Sequence, residues 1–189
     1  MITLSLNILD IVQNSVRAEA TEIFIGIRES CSKDLYEITV RDNGCGIPEK
    51  ILDQVTDPFF TTRKVRKTGL GLPLLSYHAN LSGGGLKIDS KEGEGTKVTA
   101  TFSLSDIDRQ PLGDICGVIT MMIAASPEIN FIYSHTTDSG SYSFSSGHTK
   151  EFLGTETLNE GTLLSDIREM IGENLREIGV SDLIIQNTD

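Results

Sequence analysis

Apolar residues recur along this chain at two periods, and each change of period marks an element. Over residues 4–18, Leu4, Ile8, Ile11, Val12 and Val16 fall at helical spacing and predict a helix capped by Thr3 or Ser5. Asp10 and Asn14, four apart, share one face of that helix, away from its fully apolar side. The period then drops to two. Ile23, Ile25 and Ile27 alternate with Glu22, Phe24, Gly26 and Arg28, and Tyr36, Ile38 and Val40 alternate within 35–42. Both runs predict strands with one buried face, joined by a turn at Cys31-Ser-Lys-Asp34. Residues 47–68 have little periodicity. A helix from about Leu70 to Leu81 follows, with Pro73 tolerated in its first turn and Gly83-Gly-Gly85 at its end. Leu86 and Ile88, then Val98, Ala100, Phe102 and Leu104, mark two further strands.

Residues 105–111 read as a linker. Beyond it, Ile115, Val118, Ile119, Met122 and Ile123 form one helical stripe. Residues 129–135 and 141–146 alternate about Asp138-Ser-Gly140, a predicted hairpin. Leu163, Leu164, Ile167, Met170, Ile171, Leu175 and Ile178 form a longer amphipathic helix with Gly179 as its stop. Two readings of this second part stay open: a small α+β layer packed on the first part or on a second copy, or a partner-recognition domain. The Met-containing stripe reads as core.

Strand parity brings in the chemistry. Asp42 has the parity of Tyr36, Ile38 and Val40, so it points inward, and Gly44 and Gly46 then let the backbone approach a ligand. Taken alone, Asp42-Asn-Gly44 is also an ordinary Asx-type turn closing a strand. Thr96 has the parity of Val98 and Ala100 and also points inward. Two inward polar groups on neighbouring strands need a partner, and a purine edge would serve. Arg63, Lys64, Arg66 and Lys67 are suited to a polyphosphate or to a solvated loop. The glycines of Thr68-Gly-Leu-Gly71 open a helix, whose free N–H groups and positive dipole end attract anions. The loop lacks the Lys-Ser/Thr end of a Walker P-loop and does not follow a strand as a dinucleotide-binding turn does.

Composition narrows the class further. The net charge of −11 argues against a nucleic-acid binder, which needs a basic face. Residues 1–105 carry 12 Lys+Arg and 13 Asp+Glu, whereas residues 106–189 carry 4 and 14, so the acid is concentrated in the second part. Cys31, Cys45 and Cys116 form neither a disulfide framework nor a zinc pattern. With no signal peptide and no apolar window of membrane-spanning length, the chain reads as a reduced, cytoplasmic, soluble protein without a membrane segment.

An Asp-x-x-x-Asn helix, an Asp-x-Gly-x-Gly strand end, a basic segment, a Gly-x-Gly helix start and a Gly-Thr strand occur here in order. Together they resemble the GHKL ATPases (the Bergerat fold), which include type II topoisomerases, heat-shock chaperone ATPases, mismatch-repair ATPases and histidine kinases. Asp57-Pro-Phe-Phe-Thr-Thr-Arg63, Thr68-Gly-Leu-Gly-Leu72, Ser82-Gly-Gly84 and Glu92-Gly-Glu-Gly-Thr96 look most like the ATP-binding domain of bacterial sensor histidine kinases. The loop from Asp42 also resembles the mismatch-repair branch. The resemblance covers residues 4–104. It implies an α/β sandwich (α+β), a mixed β-sheet with helices on one face. Residues 1–105 would form the ATP-binding domain, and 106–189 a small acidic α-β-β-α domain of unassigned role.

The same resemblance implies ATP and Mg2+ as ligands and assigns roles by position. Asn14 coordinates the magnesium ion. Asp42 accepts the adenine amino hydrogen, Gly44 and Gly46 admit the base, Ile47 packs on it, and Thr96 joins through water. Thr68, Gly69, Leu70 and Gly71 line the phosphates, with N–H groups of Gly69 and Gly71 offered to them. Lys64 and Lys67, with Arg63 and Arg66, belong to a lid over the γ-phosphate. Asp10 takes the place of the Glu general base of GHKL hydrolases, one methylene shorter. No histidine precedes the Asn14 box, so a phosphoryl group would go to a separate protein; the alternatives are an ATP-gated interaction module and a slow ATPase. A homodimer is left open.

Overall fold

The computed structural model describes residues 3–52, 54–55 and 71–183. The alternating segments form one mixed sheet. Strands β1 (Glu22–Ser30), β2 (Leu35–Asp42), β3 (Gly85–Lys91), β4 (Gly95–Ser103), β5 (Asn130–Thr137) and β6 (Gly140–Ser145) lie in the order β3-β4-β2-β1-β5-β6. Every neighbouring pair is antiparallel except β1 and β5, which run parallel. The strands of the second part thus extend the first sheet instead of forming their own.

Alternation explains which side is covered. Ile23, Ile25, Ile27, Tyr36, Ile38, Val40, Val98, Ala100 and Phe102 are buried on one face, and Phe131, Tyr133 and Phe144 continue that face. Helices α1 (Leu4–Arg17), α3 (Gly71–Leu81), α4 (Ile115–Ala125) and α6 (Leu163–Glu177) pack over it. Fully burying one such isoleucine contributes about 2 kcal/mol of transfer free energy. On the opposite face Phe24 lies over Gly26, and the Arg41 guanidinium sits 5.7 Å from its ring centroid. The Tyr36 hydroxyl is buried with no hydrogen-bond partner among the described residues, and burial pushes its pKa well up. The Arg109 guanidinium stacks 4.8 Å from that ring.

Two expectations change. The first helix is not capped by a side chain: Thr3 is the N-cap residue but makes no cap bond, and its hydroxyl pairs with Ser5 at 2.9 Å instead. The N–H groups of Leu4 and Ser5 donate to the carbonyls of Pro111 and Leu112, so the last residue of the segment read as a linker and the residue just after it close the helix end. Two helices also escape the periodicity. Helix α2 (Glu49–Leu52) is a single turn, and α5 (Ser146–Leu153) follows β6 directly. Ser145 caps α5 by accepting from the His148 N–H, and Gly154 ends it in the left-handed conformation. Those two cap residues were its signal in the sequence.

At the end of the sheet remote from Asp42, Glu29 of β1 and His135 of β5 meet in a buried network. His135 Nε2 lies 2.9 Å from Glu29 Oε1, and the Tyr133 hydroxyl lies 2.7 Å from His135 Nδ1. The Ser181 hydroxyl and N–H donate to Glu29 Oε2 at 2.6 and 3.2 Å. A neutral imidazole with its proton on Nε2 satisfies every member: it donates to Glu29 and accepts from Tyr133.

Candidate functional site

The site forms where α1, the end of β2 and the start of β4 converge. Asp42 is the last residue of β2 and lies directly opposite Thr96 in the β2–β4 register. Both keep the parity of the buried face and are half-buried at its margin. The Ser15 hydroxyl donates to Asp42 Oδ2 at 2.6 Å, and the Gly44 N–H donates to Oδ1 at 3.0 Å. A carboxylate accepts about four hydrogen bonds, so Asp42 is oriented yet keeps capacity for a donor from a ligand.

Thr96 carries the same polarity. Its Oγ1 lies 2.9 Å from Ser90 Oγ, which accepts from the Ile47 N–H at 2.8 Å and donates to the Gly95 carbonyl at 2.9 Å. With the Ser90 proton used on Gly95, the Thr96 hydroxyl donates to Ser90 and offers its lone pairs outward. The pair therefore presents acceptors, a pattern that suits the N–H groups of an exocyclic amine or a water bridging to one.

The loop beneath the pair is held rigidly. Gly46 has φ +70°, and a Cβ there would lie 2.1 Å from the Lys91 carbonyl oxygen. Gly95 has φ +108°, and its Cβ would lie 2.1 Å from the Asp42 carbonyl oxygen. A Cβ on Gly44 would lie 2.6 Å from the Ala18 carbonyl oxygen. Protein backbone faces these missing side chains, so the glycines let the loop pack onto α1 and the β3–β4 turn. Cys45 N–H to the Ala18 carbonyl and Gly93 N–H to the Cys45 carbonyl, each 2.8 Å, complete that packing.

Asp10 and Asn14 project from the exposed side of α1. Asp10 lies beside Gly71, the first residue of α3: a Cβ on that glycine would be 3.1 Å from Asp10 Cβ and 3.5 Å from its Oδ2. The acid thus faces the positive end of α3. Asn14 Oδ1 accepts from Arg17 Nη1 at 3.1 Å. Asp10, Asn14, Asp42, Gly44, Gly46, Ile47, Gly71 and Thr96 are placed by α1, the β2 loop, the start of α3 and β4. Lys64, Lys67, Thr68, Gly69 and Leu70, with Arg63, Arg66 and the 57–60 stretch, lie outside the described residues.

Sequence reasoning missed Ser15. It occupies a core position of the helical stripe at 3% exposure, one turn beyond Ile11, and a polar residue there was the available signal. Removing its hydroxyl in Ser15→Ala is expected to weaken nucleotide binding about tenfold and to lower the melting temperature by roughly a few degrees, because the internal hydrogen bond that orients the charged Asp42 is lost. Titration calorimetry with ATP checks this, and unchanged affinity would discard Ser15 as the residue that orients Asp42.

With that geometry in hand, the comparisons give the class. Residues 2–106, just over half of the chain, match the family described as histidine kinase-, DNA gyrase B- and HSP90-like ATPase, and the chain belongs to this family. Its first part is an ATP-binding domain of the histidine-kinase kind. Sensor histidine kinase WalK of Bacillus subtilis is 35% identical over 100 residues, covering 49% of this chain and 16% of WalK. The signal transduction histidine-protein kinase AtoS of Escherichia coli is 38% identical over 98 residues, covering 51% and 15%. A putative sensor protein of Shewanella frigidimarina is 32% identical over 103 residues, covering 53% and 16%. The chain thus spans about a sixth of the length of these relatives. Among solved structures, the N-terminal domain of a DNA repair protein shares the fold with TM-score 0.50 at 16% identity, over 76% of this chain and 51% of that one. No helix among the described residues is long and apolar enough to cross a membrane.

Proposed function

We propose that this protein is a cytoplasmic regulatory kinase that binds Mg-ATP at the site above and passes the γ-phosphoryl group to a separate protein. The observation that carries the reading is the opposed Asp42–Thr96 pair of acceptors, oriented by Ser15 and Ser90 and suited to an adenine edge. From there the face of α1 that carries Asp10 and Asn14 leads toward the start of α3, where phosphates would meet helix N–H groups. Asp10 brings negative charge to that same place, so an approaching polyphosphate needs a counter-charge. The amide oxygen of Asn14 is a hard donor of the kind Mg2+ prefers. The ion would supply charge neutralisation of the phosphates; the chain's own part is to hold the base, orient the phosphates and exclude competing geometries.

Of the three histidines, His135 is fully buried with both ring nitrogens engaged and is sealed from phosphorylation, whereas His148 is exposed and His78 half-buried, so label on either of those two would mean an internal acceptor. Three free thiols, two of them exposed, fit a reducing compartment. A second reading, slow hydrolysis, draws on Asp10, an exposed carboxylate beside the start of α3.

Incubation of the pure protein with magnesium and γ-labelled ATP separates the readings. The expected result is retained ATP with neither labelled protein nor steady phosphate release until a partner protein is added. Steady release that Asp10→Asn removes would replace the kinase by a hydrolase. No retention of ATP at all would overturn both.

A further inference from the structure

Among the described residues the sheet has two free edges, and they are guarded differently. On the edge strand β3, Lys87 and Asp89 pair at 2.8 Å and Lys91 pairs with Glu94, all largely exposed. Charges of this kind discourage another strand from adding. The opposite edge strand, β6, is Gly-Ser-Tyr-Ser-Phe-Ser, with no charge and no proline. Beside it runs an open groove of about 870 Å³ that brings Tyr142 and Phe144 of β6 together with Phe152 of α5 and Ile167 and Met170 of α6. Phe152 is 90% exposed and Met170 40%, so the groove keeps apolar surface in contact with water.

Its charge points to an occupant. Glu22 and Asp166 line it, and among the described residues that do so none is Lys or Arg. Glu22 bonds to the Asn130 amide and Asp166 to the Thr162 hydroxyl; neither carboxylate has a cation partner among the described residues. Residues 106–189 carry 14 acidic against 4 basic residues, so a second copy would bring the same acidic surface to this edge and be repelled.

We propose that the β6 edge takes an extended segment of a partner protein as a seventh strand. That segment carries apolar side chains at alternate positions, seated against Phe144, Phe152 and Met170, and lysine or arginine at the positions between, on the side of Glu22; Asp166, on the helix-covered side, adds to the negative field that draws a basic segment to this edge. Main-chain hydrogen bonds to β6 give affinity, and the alternate side chains and charges give selectivity. The proposal rests on the fold and stands apart from the nucleotide site.

The probe is a fluorescent peptide of about ten residues, near two strand lengths, alternating leucine or valine with lysine and titrated into the full chain by anisotropy. Saturable binding is expected. Phe152→Ala and Asp166→Lys should each weaken it by about tenfold, the range in which one anchor acts. Phe152 is so exposed that its truncation leaves the fold intact, which circular dichroism checks. A twin peptide with glutamate for lysine, and one with alternate amides N-methylated, should bind at least about tenfold more weakly. Equal binding of either twin, or no binding of the parent peptide, overturns the proposal. So does a dimer in analytical ultracentrifugation that Phe152→Ala dissolves, which would assign the groove to a second copy.

Discussion

Asp42→Asn is expected to lose about 100-fold in ATP affinity, roughly 2.7 kcal/mol, while melting within about 3 °C of the parent protein. The two halves of this expectation have separate causes. The amide keeps an oxygen to accept the Gly44 N–H, and its NH2 group meets Ser15, whose hydroxyl oxygen accepts in turn. The internal bonds that fix the β2 loop on α1 therefore survive. The charged acceptor offered to a ligand does not, and hydrogen bonds to charged groups contribute about 1.5–3 kcal/mol each. Calorimetry with ATP and with ADP, beside a thermal melt, reads both halves. If the variant binds ATP as the parent does, the base is not held by Asp42 and the proposed pocket is wrong. If affinity and melting fall together, Asp42 is a structural residue first.

The second large effect is expected far from that site. Glu29→Ala should lower unfolding free energy by about 3 kcal/mol, since removing one partner of a buried polar network strands the others. The stranded groups here are the Nε2–H of His135 and the hydroxyl of Ser181. Their bonds join β1 to β5 and to the segment after α6, so the loss falls on the joint between the first and second parts of the chain. Urea titration measures it. Glu29→Gln, which keeps an acceptor of the same shape, should lose less than the alanine variant. A loss under about 1 kcal/mol for Glu29→Ala would mean that water replaces the carboxylate and the network contributes little.

Much of the site was legible because the relevant rules are local. Alternation at i, i+2 placed Asp42 and Thr96 on the inward face before any pairing was known, and the β2–β4 register sets them directly opposite. The stripe at 4, 8, 11 and 12 placed Asp10 and Asn14 on the other side of α1, where they are exposed. The Gly71 helix start and the stop at Gly179 follow from backbone chemistry of the same short range. Ser15 stood out only as a polar residue in an apolar stripe; its partner, 27 residues away, was not legible, and neither was the partner of His135, 106 away. A periodic pattern reports which face a residue occupies but not which other face it meets.

The amino-acid sequence by itself determined the strands, most of the helices and the inward parity of Asp42 and Thr96, since each depends on spacings within a turn or a strand; the order of the boxes along residues 4–104 carried the resemblance to the family. Tertiary structure alone decided that β5 lies parallel to β1, that Pro111 and Leu112 cap α1, that Ser15 orients Asp42, and that β6 is left as an uncharged edge beside an acidic groove. Those features arise where surfaces of distant segments meet, and the free energy that selects one meeting over another is shared among many side chains that no single stretch contains.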